Sequence, residues 1–399
     1  MKAAVRQGLL GVALLWIAMA SGMAQKPPAP GQQRERALAL EQQKQYARAE
    51  AAWRAVLQAN PNDAEADAHI GLLEALQTHY QAAVPYYRKA LVLNPEMPGV
   101  GLDLGLALFK SGQMKAAIET FSPLLKSQPA SSAEALQLVT LIGLAHYALG
   151  EYAQAVPYLS KATASDPRNL PFRFLLAESC MWTKQYQCVL DTYHQILELN
   201  PNSAEADMLA GEAYDEMKNT AGATQEFRAA VQANPRLPYA HFGLAYLLWG
   251  QNKLPEAVQE FKAELKNVPD EAKAMAFLAD CYLQLNQSSA ALPLLEKAVR
   301  LDPGLSQAHL DLGILYSNTG HREEALRQLQ LAAKLAPNDV NVHWRLGRLY
   351  LAMGKRTEAQ AEFAKTKSLN EAGQNSIFNE LHAAQQRGKP KGGPEPLAK

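Results

Sequence analysis

Residues 201–235 read PNSAEADMLAGEAYDEMKNTAGATQEFRAAVQANP, and residues 235–269 read PRLPYAHFGLAYLLWGQNKLPEAVQEFKAELKNVP. Each stretch opens and closes on proline. Ten places in stands a small residue (Gly211, Ala245), twelve later a second (Ala223, Ala257), and four further on a phenylalanine (Phe227, Phe261). Apolar residues at helical spacing fill both halves of each stretch, which predicts a helix, a short turn and a second helix. Proline cannot continue a helix, so it closes each unit.

The same punctuation runs outward in both directions. Prolines recur at Pro61, Pro95, Pro129, Pro167, Pro201, Pro235, Pro269, Pro303 and Pro337, every 34 residues except for one interval of 38. The first small residue recurs as Gly71, Gly105, Gly143, Ala177, Ala279, Gly313 and Gly347. The second recurs as Ala83, Ala117, Ala155, Ala291, Ala325 and Ala359, with Val189 as the single break. Large residues follow at Tyr87, Phe121, Tyr193 and Phe363. The paired small residues are expected to let two antiparallel helices approach closely, and the large one to fill the gap between one hairpin and the next. Gly112, Gly150, Gly320, Gly354, Asn252 and Asn286 lie between the two helices and tolerate the left-handed conformation that ends a helix. Asp63 and Ser203 precede helices whose first turns hold Glu65 and Glu205, a capping and dipole signal.

This pattern resembles the tetratricopeptide repeat family, a helix-turn-helix unit of 34 residues, over about ten successive units from Gln33 to Asn370. The resemblance implies an all-α fold, a right-handed superhelical solenoid in which the first helix of each hairpin lines the concave face. The first unit keeps Ala49, Trp53 and Pro61 but reads as having a degraded first helix. The last has Glu371 where a closing proline would fall. The insertion Ala130-Ser131-Ser132-Ala133 equals about one helical turn and is read as a longer first helix, bulging at the solenoid edge. Pro85, Pro157 and Pro293 recur at one place inside second helices, where they serve curvature or are tolerated on an exposed face.

The ends are different material. Residues 1–24 combine Lys2 and Arg6 with an uncharged stretch from Gly8 to Ala24, ending on small residues. This reads as a signal peptide cleaved near Ala24, the alternative being an uncleaved membrane anchor. A proline-rich linker at 25–32 leads into the repeats at 33–370. Ile377, Phe378 and Leu381 share one face of a short capping helix at 371–386, and 387–399 reads as a flexible tail. The expected location is therefore periplasmic or secreted.

The 39 basic and 39 acidic residues cancel, and no basic stripe is visible, which argues against nucleic acid as a partner. No phosphate loop, nucleophile elbow, zinc-protease or dinucleotide motif is present, so no catalytic residue and no cofactor is assigned. His241, His309 and His343 occupy equivalent places in different repeats. Neighbouring elements lie about 8–10 Å apart, and zinc needs nitrogens at about 2 Å, so they are read as packing residues and no metal is assigned. Cys180 and Cys188 end one helix and begin the next; a disulfide and two separate thiols are both open, and Cys281 reads as a buried apolar group.

In the family, the lining residues of the concave face lie three before, and one, four and five after, the first small residue. Those places hold Leu102, Leu106, Phe109 and Lys110; Thr140, Leu144 and Tyr147; Phe174, Glu178, Met181 and Trp182; Met208, Glu212, Asp215 and Glu216; and Phe242, Tyr246 and Trp249. Such a wall is aromatic and aliphatic, with Glu212, Asp215 and Glu216 as acidic contacts. The basic clamp of chaperone-cofactor members is missing at the pairs Leu102 with Leu106 and Phe174 with Glu178. The expected function is an exported scaffold or adaptor that binds a peptide or helical segment of a partner protein through this groove, and not an enzyme. The alternative is a structural subunit of an envelope export, pilus or outer-membrane assembly machine, docking by its edges. A membrane enters only through an uncleaved N-terminal segment.

Overall fold

The computed structural model describes residues 30–387, with side-chain surroundings described for residues 31–371. Among the described residues all regular structure is helical, and no helix is long and apolar enough to cross a membrane. The expected leader, most of the linker and the tail lie outside the described residues.

The chain divides into two compact units that part between Gly150 and Glu151. The first holds α1 (Pro30–Gln42), α2 (Tyr46–Ala59), α3 (Ala64–Leu76), α4 (Tyr80–Leu93), α5 (Val100–Lys110), α6 (Met114–Ser127) and α7 (Ala133–Ala148). The second opens with α8 (Tyr152–Ser165), α9 (Leu170–Trp182), α10 (Tyr186–Leu199), α11 (Ala204–Glu216), α12 (Thr220–Ala233), α13 (Ala240–Gly250) and α14 (Leu254–Asn267). It continues with α15 (Ala272–Gln284), α16 (Ser288–Leu301), α17 (Ser306–Asn318), α18 (Arg322–Leu335), α19 (Val340–Ala352) and α20 (Arg356–Arg387). Within each unit, helices joined by three-residue turns pack in antiparallel pairs, such as α3 with α4 or α11 with α12, and successive pairs pack on one another. First helices also touch the first helix of the next pair: α3 meets α5 in the first unit, and α9, α11, α13, α15, α17 and α19 form a continuous series in the second. Within each unit the first helices therefore crowd on the inner face.

The small residues make the close pairing. A Cβ added at Gly71 would stand 2.8 Å from the Tyr87 ring, at Gly105 2.2 Å from Phe121, and at Gly347 2.8 Å from Phe363. The large residue thus sits over the small residue of its own hairpin, and does not only fill the space between hairpins as expected. Phe227 does both, because a Cβ at Gly211 would meet it at 2.8 Å and one at Gly243 in the next pair at 2.3 Å. Ala83, Ala117, Ala223, Ala257, Ala291, Ala325 and Ala359 are buried, and Val189 fills the same place, also buried.

All the expected helix-ending glycines and asparagines have positive φ, and Lys44, Thr78, Lys184 and Lys218 adopt it at the equivalent place in their hairpins. Lys44 reveals that the first hairpin keeps the register. Its first helix is a complete 13 residues with buried Ala37 at the small-residue position, so the expectation of a degraded helix is corrected. Asp63 and Ser203 cap α3 and α11 as expected, accepting from the backbone N–H of Ala66 and Ala206. The insertion after Pro129 lengthens α7 to 16 residues, against 13 in α3. Pro85, Pro157 and Pro293 sit on exposed faces of helices that continue through them, as does Pro123 in α6. At the C-terminal end α20 runs unbroken to Arg387. The segment expected as a separate capping helix is its continuation, because no proline stands at Glu371 to stop it.

Two features were not anticipated. Pro98 and Pro238 follow the repeat proline by three residues and delay the next helix, so α5 and α13 have only 11 residues and begin after Gly99 and Tyr239, both at positive φ. The buried carboxylate of Glu264 on α14 caps α13 from outside, accepting from the N–H groups of Tyr239 at 2.9 Å and Phe242 at 3.2 Å. The three histidines share a second device. Nε2 of His241, His309 and His343 donates to the carbonyl of Pro235, Pro303 and Pro337 at 3.1, 3.1 and 2.9 Å. Nδ1 faces Glu260, Gln328 and Glu362 on the paired helix at 2.5, 2.7 and 2.6 Å. Each histidine latches the second helix to the proline turn that precedes the first. Arg173 does the same with Pro167 and Gln195.

Candidate functional site

The groove-facing side chains of the second unit come from one stripe of α11. Glu205, Met208, Leu209, Glu212, Asp215 and Glu216 are spaced by three, four and seven residues, which places them on one helical face. Because α11 lies between α9 and α13 on the inner face, this stripe is a floor. Glu178, Met181 and Trp182 form one wall, and Phe242, Gly243, Tyr246 and Leu247 the other. Lys184, Tyr186 and Tyr239 add a rim, and the groove encloses about 800 Å3.

The walls are held by contacts outside the groove. Trp182, 65% exposed, stacks on Tyr152 with ring centroids 5.7 Å apart and planes 9° from parallel. Cys180 and Cys188 form a disulfide, which decides between the two open readings. The loop it closes contains Met181, Trp182, Lys184 and Tyr186, four of the lining residues. On the opposite wall Phe242 stacks on Tyr246 at 6.5 Å and meets Phe261 and Phe277 edge-on, so Tyr246, 40% exposed, rests on an aromatic cluster anchored by the buried Phe261.

The electrostatics are one-sided, with five carboxylates facing the groove against one lysine, Lys184. Enclosure and the neighbouring charge of Glu178 push the carboxyl of Glu212 above the usual carboxylate range. The Tyr186 hydroxyl donates to Glu216 at 3.3 Å. This arrangement can bind, through apolar walls and an anionic floor. Among the described residues no group of three or more potential metal ligands is clustered.

Of the residues expected on the concave face, Glu178, Met181, Trp182, Met208, Glu212, Asp215, Glu216, Phe242 and Tyr246 come together here. Trp249 does not. It is half-buried, packs edge-on to Phe277 at 5.1 Å and donates its indole N–H to Asp280 at 2.6 Å, so it lies against the aromatic cluster and outside the groove lining. Phe174 is half-buried and outside the groove lining. In the first unit Leu102 lines a separate cleft of about 550 Å3 with Met97, Pro98 and Leu124. Leu106, Phe109, Leu144 and Tyr147 are half-buried and outside that cleft, and Lys110 is exposed.

Sequence reasoning missed Glu205 and Leu209, which the α11 stripe itself would have supplied. It also missed Tyr239 and Lys184, which come from turns, and Tyr186, which opens the second helix α10; a rule for the faces of first helices reaches none of them. Basic groups gather elsewhere, away from the pairs at which the chaperone-cofactor clamp is missing. On α19 the guanidiniums of Arg345 and Arg348 flank the Trp344 ring at 5.0 and 4.8 Å, beside Ser317 and Asn318.

Models of the tetratricopeptide repeat match residues 34–98, 190–238 and 242–306; residues 74–142, 146–213 and 287–343; and residues 340–372. Two curated relatives are each 24% identical. Protein CTR9 homolog of Arabidopsis thaliana aligns over 261 residues, 63% of this chain and 24% of that protein. TPR repeat-containing protein YpiA of Bacillus subtilis aligns over 242 residues, 59% of this chain and 55% of that one. The chain thus spans about a quarter and about half of these relatives. Similar solved structures include a tetratricopeptide repeat protein from Parabacteroides merdae (TM-score 0.45, 19% identity, 63% of this chain and 97% of that chain). Another is YrrB, described as a TPR protein with an unusual peptide-binding site (TM-score 0.39, 20% identity, 48% and 97%).

Proposed function

Because the chain belongs to the tetratricopeptide repeat family, we propose that it is a non-enzymatic scaffold holding a segment of a partner protein in the groove of α9, α11 and α13. The observation that carries this reading is Trp182, an exposed indole braced by Tyr152 and by a disulfide-closed loop at the edge of an apolar-walled groove. Rigid aromatic platforms of this kind dominate binding energy at interfaces, because little side-chain entropy is lost on contact. An amphipathic segment laid into such a groove buries its apolar face without competing for backbone hydrogen bonds, since both backbones are already satisfied.

The same proposal places the protein on the exported side of a membrane. The Cys180–Cys188 disulfide supports this, because such bonds persist in oxidising compartments, as does the leader-like composition of residues 1–24. Amino-terminal sequencing of the mature protein from an envelope fraction is expected to begin at Gln25.

Photo-crosslinking in cells from position 182 and from Tyr246, with Gln259 on the exposed face of α14 as control, tests the groove. One dominant protein adduct at 182 and 246 and none at 259 is the expected result. Adducts from 259 alone would move the docking surface to the outer face and favour an envelope-machine subunit that docks away from the groove.

A further inference from the structure

We propose that the occupant of this groove is a cationic amphipathic segment of a partner protein, with Lys or Arg side chains directed at the carboxylates of α11 and its apolar face against Trp182, Met208 and Tyr246. The inference rests on the groove reading above and adds the chemistry of the ligand.

Charge distribution is the first argument. The whole chain balances 39 basic against 39 acidic residues, so a random surface patch of this size would be mixed. The groove instead gathers Glu178, Glu205, Glu212, Asp215 and Glu216 around one lysine. Like charges held together in a groove raise each other's energy; the carboxyl of Glu212 is displaced upward by desolvation first, and the charge of Glu178 adds to it. A protein gains nothing in the free state from that crowding. An arriving cation relieves it, so the repulsion becomes part of the binding energy and of the specificity, because an anionic or neutral segment obtains no such relief.

Geometry is the second. Along α11 the carboxylates at Glu205, Glu212 and Glu216 alternate with Met208 and Leu209. The span from Glu205 to Glu216 is about 16 Å at 1.5 Å per residue. A ligand helix of about three turns, with cations at spacings of four and seven and apolar residues between, matches that alternation. Methionine on the floor and Trp182 on the wall add surfaces suited to such a segment, one a flexible thioether that fits varied side chains and one a face for Arg stacking.

The test uses the full chain, oxidised, and three synthetic 16-residue helix-forming peptides that share one apolar face. One carries Lys and Arg on the other face, one Glu, and one Gln. Calorimetry is expected to show binding of the cationic peptide that weakens steeply with added salt, and at least tenfold weaker binding of the other two. The triple variant E212Q/D215N/E216Q is expected to lose at least tenfold for the cationic peptide and most of the salt dependence. It should keep the helical circular dichroism, with a thermal midpoint equal to or above that of the parent. Loss of binding in W182A/M208A, together with equal affinity for the cationic and Gln peptides and no effect of the triple variant, would overturn the cationic inference and leave the groove reading standing. Cationic-peptide affinity unchanged in both variants, or no binding of any peptide at millimolar concentration, would overturn both.

Discussion

At the scale of single residues, two side chains sit in conditions that free energy alone would not select. Asp311 is buried with one carboxylate oxygen lacking a hydrogen-bond partner, the other accepting from Gln307 at 2.9 Å. Burial, and then the charge of Asp280, push its carboxyl up to about 7, against a partial offset from Gln307 and Arg345. The folded state therefore keeps a proton that the unfolded chain releases near pH 4. Stability is greatest below that point, falls as pH rises from about 4 to about 7, and stays reduced above, by on the order of a few kcal/mol. Asp311→Asn removes the titration. Urea denaturation is expected to find the variant about as stable as the parent at pH 4.5 and more stable at pH 8. Thr78 is the other case, a β-branched residue at φ 64° where Gly112 and Gly150 stand in other repeats. Thr78→Gly should relieve roughly 1 kcal/mol of strain, partly offset by the greater freedom of glycine in the unfolded chain. A thermal midpoint lower than the parent's would show that Thr78 makes a contact worth more than the strain.

The helix pair is the next scale. Cys180 and Cys188 staple α9 to α10 across the turn that presents Trp182. Closing so short a loop stabilises by about 2 kcal/mol in the chain-entropy account. Cys188→Ser, or reduction, is expected to lower the midpoint and to raise amide hydrogen exchange in residues 181–187, while α13 and α14 keep their protection. The proline latch of His343 is a second link of this kind. His343→Ala leaves the Pro337 carbonyl and Glu362 without their shared partner, at a cost of about 1–3 kcal/mol. The cysteine pair, eight residues apart across one turn, was visible as a possible bond in the sequence, whereas the partner of His343 on the second helix, Glu362, lies 19 residues on and was not.

Across the molecule, repeats that contact only their neighbours make damage local. Gly211→Leu forces a side chain into the Phe227 ring, which already bridges to Gly243. An overpacking cost of roughly 1–3 kcal/mol or more is expected. Exchange protection should fall in α11 to α13 and remain in α3 and α4; uniform loss would mean a more cooperative body than a repeat array.

What the sequence determined by itself was everything with a period. The prolines, the small residues and the helix-ending glycines and asparagines act through backbone sterics and short-range spacing, so their positions alone specify pairs of helices and the face each buries. Even there, Ala37 and Lys44 show a first repeat that keeps the period, with Pro27 standing 34 residues before Pro61. What tertiary structure decided was which residues of that inner face stay open. Trp182 and Trp249 stand at neighbouring places of one arithmetic rule. Trp182 has Tyr152 to stack on and faces the groove, whereas Trp249 finds Phe277 and Asp280 and is half-buried against the aromatic cluster. Exposure depends on what the adjacent repeat offers, a pairing across about thirty residues that a single-repeat pattern does not encode. The concentration of carboxylates is decided in the same way, since α9 and α11 bring Glu178 beside Glu212 only once their helices pack.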